Sequence, residues 1–252
     1  MVKIEARVRN NREVAQGTFL LTLSCDFPEF DPGQFVMLGI TGTDDPFLRR
    51  PLAILSRSAG ALELLYRVSG KGTELLAEKR QLDTLSVLGP LGKGFGMPAD
   101  NEEPVFLAGG TGLPPILAMA ERVKRGHLVF GARSAGELPL WNRLNSIEGV
   151  EAAAATEDGS LGKRGLATDA LQEVLKRVSP PLVIYACGPK GMLRQAALMA
   201  QMIGARCEVS LEEYMACGFG VCSACAVRTV SSNRRVCTDG PVFDARDIRW
   251  EE

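Results

Sequence analysis

Histidine is almost absent from this chain: His127 is the only one in 252 residues. A serine hydrolase triad or a site with several imidazole ligands therefore has little to build on. His127 itself lies in a strand-like run, HLVFGAR, and reads as structural. An excess of either charge is missing too, because 29 basic residues face 30 acidic ones, for a net charge of −1. A nucleic acid or an anionic membrane finds no broad attraction there. No apolar run reaches membrane-spanning length, and the opening MVKIEARVRNNREV carries charges every few residues instead of the apolar stretch of a signal peptide. The cytoplasm is the expected location. A complete set of disulfide partners is also lacking: the seven cysteines are odd in number and four fall within 21 residues. A chain of this size has no need of disulfide staples, so metal binding is the better expectation.

What is present divides into three parts. Residues 1–98 run as short β-type segments broken by turns, IEARVRN, GTFLLTLSC, QFVMLGI, RRPLAIL, ALELLYRV and TLSVLGPL, with one helical stretch, TELLAEK. This series predicts an antiparallel barrel. Residues 99–205 alternate strand and helix: VFLAGG with LPPILAMAERVKR, HLVFGAR with ELPLWNRL, VEAAAAT with TDALQEVLKRV, and PLVIYACG with GMLRQAALMAQMIG. That rhythm predicts a parallel sheet covered by helices. Residues 206–252 show little periodicity and carry the clustered cysteines. The predicted class is therefore β plus α/β with a small C-terminal metal-binding segment.

Cys217, Cys222, Cys225 and Cys237 are spaced C-x4-C-x2-C-x11-C, and the first three match the opening of the plant-type [2Fe-2S] ferredoxin pattern. Gly218 and Gly220 fall in the first gap, where missing side chains let the backbone curl around inorganic sulfide. Structural zinc also accepts four thiolates and is the alternative, although the gaps of four and two fit the iron–sulfur pattern better. A segment this short cannot form the sheet of a whole ferredoxin, so it must lean on the rest of the chain or on a partner.

Two loops each follow an apolar strand and open a helix. Gly110, Thr111 and Gly112 in AGGTGLPP stand where backbone N–H groups meet phosphate, although glycines in any tight strand-to-helix turn look the same. Cys187, Gly188 and Pro189 in ACGPKGM form the second loop, with Cys187 read either as strand-end filler or as a thiol beside a nicotinamide. In the first part, Arg50, Pro51, Leu52 and Ala53 put a guanidinium next to a stiffened strand, which suits a flavin phosphate and equally a solvated edge. Tyr66, Arg67 and Val68 then lead through a glycine turn to Gly72 and Thr73 at the start of the short helix. Beyond HLVFGAR, Arg133 suits a 2′-phosphate, whereas Glu157 and Asp158 suit a free ribose.

The ordered set RRPL, LLYRVSGKGT, AGGTGLPP and ACGPKGM resembles the ferredoxin–NADP reductase superfamily across the first 205 residues or so. With EEYMACGFGVCSAC and VCTDGPVFDA added, the whole chain is similar to the electron-transfer subunits of class 1B dihydroorotate dehydrogenases. The resemblance implies an FAD-binding barrel, an NAD-binding sheet domain, and a C-terminal [2Fe-2S] cluster facing a separate FMN-containing dihydroorotate dehydrogenase catalytic subunit, in a two-plus-two heterotetramer serving pyrimidine biosynthesis. It implies flavin contacts at Arg50, Pro51, Leu52, Tyr66, Arg67, Val68, Gly72 and Thr73. It likewise implies NAD contacts at Gly110, Thr111 and Gly112, with Gly188 and Pro189 near the nicotinamide and Cys187 beside it as the catalytic candidate. Ala53 departs from the Ser or Thr usual in related flavoproteins, which removes a hydroxyl contact worth about 0.5 to 1.5 kcal/mol. Two alternatives stay open: the same architecture in a ferredoxin-linked transhydrogenase or hydrogenase, and a zinc-stabilised nucleotide-binding protein without turnover.

Overall fold

The computed structural model describes residues 1–40 and 45–250. Six strands, β1 (Val2–Ala15), β2 (Thr18–Ser24), β3 (Phe35–Ile40), β4 (Arg50–Ser58), β5 (Ala61–Arg67) and β6 (Thr84–Leu91), close an antiparallel barrel in the order β1-β2-β5-β4-β3-β6. The period-two alternation decides which side chains fill it. Leu62, Leu64 and Tyr66 of β5 point inward to meet Leu21, Leu23, Val36, Leu38, Ile54 and Val87. Leu65 faces outward and joins Leu20 and Leu55 against the following domain. Helix α1 (Lys71–Ala77) bridges β5 and β6.

The chain then alternates β7 (Glu103–Gly109), α2 (Leu113–Val123), β8 (Gly126–Ala132), α3 (Trp141–Asn145), β9 (Val150–Thr156), β10 (Lys163–Arg164), α4 (Ala167–Leu175), β11 (Leu182–Cys187), α5 (Lys190–Ile203) and β12 (Arg206–Ser210). These strands form a parallel sheet ordered β10-β9-β8-β7-β11-β12. Strands β7 and β11 are central and covered on both faces, which is why PVFLAG and LVIYAC read as unbroken apolar runs. The sheet continues past residue 205, since β12 follows α5.

The C-terminal segment is tied into both units. It forms a small hairpin, β13 (Ala226–Arg228) with β14 (Asn233–Arg235), then α6 (Val236–Asp239), and finally β15 (Val242–Asp244), which pairs antiparallel to β12 as the seventh strand of the sheet. The Lys93 N–H, just after the barrel, donates to the Gly240 carbonyl at 2.6 Å. One apolar cluster holds Phe35, Met37 and Leu91 of the barrel, Val105, Ile184 and Val209 of the sheet, and Cys225, Val236, Cys237 and Phe243 of the tail. The segment that seemed too short to stand alone thus uses the parent domains as its core. Among the described residues no helix is long and apolar enough to cross a membrane.

Candidate functional site

The four clustered thiols are set two by two. Cys222 Sγ lies 3.3 Å from Cys217 Sγ, and the Cys237 N–H donates to Cys225 Sγ at 3.4 Å. Among the described residues no group of three or more His, Cys, Asp or Glu side chains converges as a ligand set for a single metal ion. A two-iron cluster asks for one thiolate pair per iron, and the donor set fits that demand. The pairs also differ in depth: Cys225 and Cys237 are buried, whereas Cys217 is half-buried and Cys222 exposed.

The loop between Cys217 and Cys222 is shaped by glycine. Gly218 and Gly220 have φ of +80° and +91°, a left-handed conformation that other residues adopt only with strain. Burial works against ionisation of Cys217, but N–H groups of Cys222, Phe219 and Val221 and the Cys222 thiol point at its sulfur and bring it down to about 6. Such a concave row of N–H groups is the kind that holds a bound sulfur anion. Burial and the neighbouring Cys225 thiol push Cys237 up to about 12, as expected when two thiolates cannot share a dry space without a metal charge between them. Beside them, the buried Thr238 hydroxyl has no hydrogen-bond partner among the described residues and stands ready to donate to a cluster sulfide.

Two residues outside the cysteine pattern hold this loop. The Arg235 guanidinium donates to the Gly220 carbonyl at 2.7 Å. A Cβ added at Gly218 would come within 2.8 Å of the Met37 sulfur, so the loop lies directly on β3. Met37 pairs with Pro51 across β3 and β4, which puts the cluster loop one strand away from the RRPL motif. Neither residue carried a signal in the sequence, since Met37 looks like any core methionine and Arg235 like any surface cation.

In the barrel, the structure brings Arg50 and Gly72 together. An added Cβ at Gly72 would lie 2.6 Å from Arg50 Cζ, so only glycine lets the guanidinium lie across the start of α1. Arg50 also donates to the Leu48 carbonyl. The neighbouring Arg49 plays a structural part, since its guanidinium donates to the Ser86 carbonyl at 2.9 Å and the Ser86 hydroxyl at 3.0 Å, tying β4 to β6. The Thr73 hydroxyl accepts from the Ser69 N–H at 2.8 Å and the Gly70 N–H at 3.2 Å, fixing the turn itself. Leu52 and Ala53 are half-buried opposite Val36 and Phe35.

Tyr66 is not on that open face. Its ring is 3% exposed and stacks on Phe19 at 5.6 Å, and its hydroxyl donates to Asn11 at 3.0 Å. Burial raises it to about 12 despite that hydrogen bond. Val68 packs against the same core. Arg67 points the other way, and its guanidinium lies 3.8 Å from Glu137 of the sheet domain.

The two nucleotide loops meet at the C-terminal ends of β7 and β11. Strand order turns at this pair, with β8 and β9 on one side and β12 on the other, so they form the topological switch point at which open sheets of this type bind ligands. The loops are in contact. An added Cβ at Gly112 would lie 2.6 Å from Gly188 N, and one at Gly109 would lie 2.7 Å from the Met192 sulfur and 2.9 Å from Pro189. Several of the glycines thus serve loop-to-loop approach. Gly110, with φ of +52° and nothing within 4 Å of a Cβ position, faces open space.

Cys187 ends β11 and is 3% exposed. Burial pushes its thiol far up, with the Glu212 charge adding to the rise and a hydrogen bond to Ser210 opposing it. It is therefore a protonated thiol beneath the loop. Ser210 is its β-sheet partner, and the chain runs from there straight into the cluster loop.

A curated dihydroorotate dehydrogenase B (NAD(+)) electron transfer subunit from Caldanaerobacter subterraneus subsp. tengcongensis is 34% identical over 251 residues, covering 98% of both chains. The chain belongs to this family. Its relatives include the corresponding subunit of Geobacillus sp. strain WCH70, 38% identical over 98% of this chain and 99% of the relative. Two family models match parts of the chain: the iron-sulfur cluster binding domain of dihydroorotate dehydrogenase B over residues 212–249, and the oxidoreductase NAD-binding domain over residues 106–197. Among solved structures, the NADH-dependent reduced ferredoxin-NADP oxidoreductase aligns with a TM-score of 0.86 and 27% identity, covering 97% of this chain and 90% of that one. A ferredoxin NADP+ reductase from Neisseria gonorrhoeae with bound FAD and NADP shares the fold, with a TM-score of 0.70 and 18% identity over 83% of this chain and 99% of that one.

Proposed function

We propose that this chain is the electron transfer subunit of an NAD-linked dihydroorotate dehydrogenase, carrying electrons from dihydroorotate oxidation in a catalytic partner to NAD through a [2Fe-2S] cluster and FAD. The observation that carries this reading is the graded depth of the two thiol pairs: Cys222 is exposed, whereas Cys225 and Cys237 are buried in the core shared with the β3 strand that pairs with the RRPL motif. Such a site opens outward to a donor and inward to the flavin strand. When bound, the flavin exchanges single electrons or a hydride, which joins a one-electron cluster to a two-electron nicotinamide.

In this reading residues 1–98 hold FAD, residues 99–205 hold NAD, and residues 206–252 hold the cluster, with β12 and β15 of the last part completing the sheet of the second. Arg50, lying over Gly72, neutralises flavin phosphates beside Thr73, while Pro51, Leu52 and Ala53 line the strand beside the ring. Arg67 borders the same face, and Tyr66 and Val68, packed in the barrel core, support it from inside. Gly110, Thr111 and Gly112 take the NAD phosphates. Gly188 and Pro189 flank the nicotinamide, and Cys187, protonated and hydrogen-bonded to Ser210, forms its floor and provides no base. The thiolates of Cys217, Cys222, Cys225 and Cys237 bind the irons.

The partner is an FMN-containing catalytic subunit in a two-plus-two assembly, docking over the exposed Cys222 and its apolar rim of Tyr214, Phe219 and Val221, which are 93%, 46% and 77% exposed. The cytoplasm suits seven free thiols. The likeness to the NADH-dependent reduced ferredoxin-NADP oxidoreductase favours the transhydrogenase-type alternative, but the chain-long identity to dihydroorotate dehydrogenase B subunits favours the first reading. Metal and flavin analysis of the purified chain tests it. The expected content is one FAD with about two irons and two labile sulfides; a colourless protein with zinc would refute it.

A further inference from the structure

Three arginines, Arg133, Arg67 and Arg164, and three carboxylates, Glu137, Glu157 and Asp158, lie around the ends of β8 and β9. Arg133 leaves β8 and donates from Nε and Nη2 to the two carboxylate oxygens of Glu137, at 3.1 and 2.6 Å. The Nε–Nη2 edge, one of the two edges through which a guanidinium can grip a phosphate, is therefore engaged. Glu137 is well placed to hold them, since its side chain is only 16% exposed and its carboxylate also lies 3.8 Å from Arg67. The turn that carries it is pinned to the barrel, because the Gly136 carbonyl accepts from the Gln16 N–H at 3.2 Å.

The end of β9 closes the opposite side. The Glu157 N–H donates to the Ala132 carbonyl and the Asp158 N–H to the Arg133 carbonyl, at 3.2 and 3.1 Å. Ser160 holds the Asp158 carboxylate through its N–H and hydroxyl, at 2.9 and 2.6 Å, and its hydroxyl oxygen accepts from the Ala135 N–H. Arg164 packs its stem along Gly159 in the same loop. The region borders β7, whose loop carries Gly110 to Gly112, on the side where a sheet of this type places the adenosine ribose. There a carboxylate accepts from a free 2′-hydroxyl, whereas a free arginine takes a 2′-phosphate.

We infer that Glu137 sets the coenzyme choice: by pairing the charge of Arg133 and occupying its Nε–Nη2 edge it weakens the hold of Arg133 on a 2′-phosphate, leaving Glu157 and Asp158 to favour the unphosphorylated ribose. A 2′-phosphate arriving here meets three carboxylates and an Arg133 whose Nε–Nη2 edge and charge are already taken up by Glu137. The inference rests on the reading of Gly110 to Gly112 as the loop for coenzyme phosphates. It adds the residue that discriminates between the two coenzymes.

The experiment uses the full flavin- and cluster-loaded chain with ferricyanide as acceptor, and reads the ratio of kcat/KM for NADPH to that for NADH. In Glu137→Gln the freed Arg133 should raise this ratio by about tenfold or more, the worth of one charged hydrogen bond. In the double variant with Arg133→Ala the gain should disappear. A flavin-loaded Glu137→Gln protein with an unchanged ratio would overturn the inference, as would a gain that survives removal of Arg133. Should Glu137→Gln lose its flavin, Arg133→Ala alone decides: inhibition by 2′,5′-ADP should stay within about twofold of wild type, whereas a loss of about fivefold or more would show Arg133 already reaching the 2′-phosphate. A wild-type chain that oxidises neither coenzyme would instead bring down the coenzyme reading beneath it.

Discussion

Substituting Gly112 by alanine isolates the contact between the two nucleotide loops. Its φ is −76°, so alanine fits the backbone conformation and any effect is steric. The new Cβ would sit 2.6 Å from Gly188 N, with the Cys187 carbonyl also in its way. These are backbone atoms of a strand end and cannot rotate aside. Reaching the 3.4 Å of ordinary contact with the nearest of these atoms, the Cys187 carbonyl oxygen, separates the loops by about 1.1 Å. Overpacking of this size costs about 1 to 3 kcal/mol, or a fall in Tm of a few degrees for a chain of this length. The functional loss should be larger in proportion, because a displacement near 1 Å in a positioning element lowers kcat/KM by about ten- to a hundredfold. Gly191→Ala is the control: the same methyl on the same pair of loops meets nothing within 4 Å and adds helix propensity at the start of α5. The assay is NADH oxidation with ferricyanide beside a thermal melt followed by flavin absorbance. Gly112→Ala with wild-type Tm and kinetics within about threefold of wild type would show that coenzyme binding does not depend on this close approach.

Other perturbations address the remaining parts. Gly218→Ala combines a φ of +80° with a Cβ 2.8 Å from the Met37 sulfur, so it should lower iron content while flavin stays bound; the ratio of iron to flavin in purified protein reads this, and Met37→Ala in the same chain should restore part of the iron. Arg143 joins the domains by donating to Glu63 of β5 at 2.8 Å and to Glu121 of α2 at 2.6 and 2.9 Å, and Arg143→Ala should cost about 1 to 3 kcal/mol by leaving two half-buried carboxylates unpaired, measured by urea unfolding. Burial opposes ionisation of Glu63, yet hydrogen bonds from Ser56 and Arg143 and the charges of Arg143 and Arg12 outweigh it and lower its pKa. Its contribution is therefore present above the ordinary carboxylate value and lost as pH falls through the lower folded value, so Tm should drop less steeply below about pH 4.3 in Glu63→Gln than in wild type.

Both architectures were legible because each has a period. Alternation in the first part and strand–helix rhythm in the second follow directly from burial on one face or on two. The cysteine spacing was legible because ligand geometry fixes it. The β15 strand was not: Val242–Asp244 is too short to show alternation, and its place beside β12 is set by pairing with residues far back in the chain. Sequence offered the Tyr66 ring to the flavin, while the shared face of Leu62, Leu64 and Tyr66 in a period of two already places it inside the barrel. The glycines of AGGTG looked alike, yet Gly112 is required by Gly188 and Gly110 by its backbone conformation, a distinction that exists only once the loops meet. Arg133 suited a 2′-phosphate in the sequence, and its bonds to Glu137 came into view only with the fold.

Entry of electrons through the four-thiol site on their way to NAD can be probed by reconstituting Cys222→Ser with the catalytic subunit, since Cys222 is exposed and its change leaves the core intact. Dihydroorotate-dependent NAD reduction should vanish while NADH oxidation by ferricyanide continues in the same preparation; coupled NAD reduction at the wild-type rate would contradict that route.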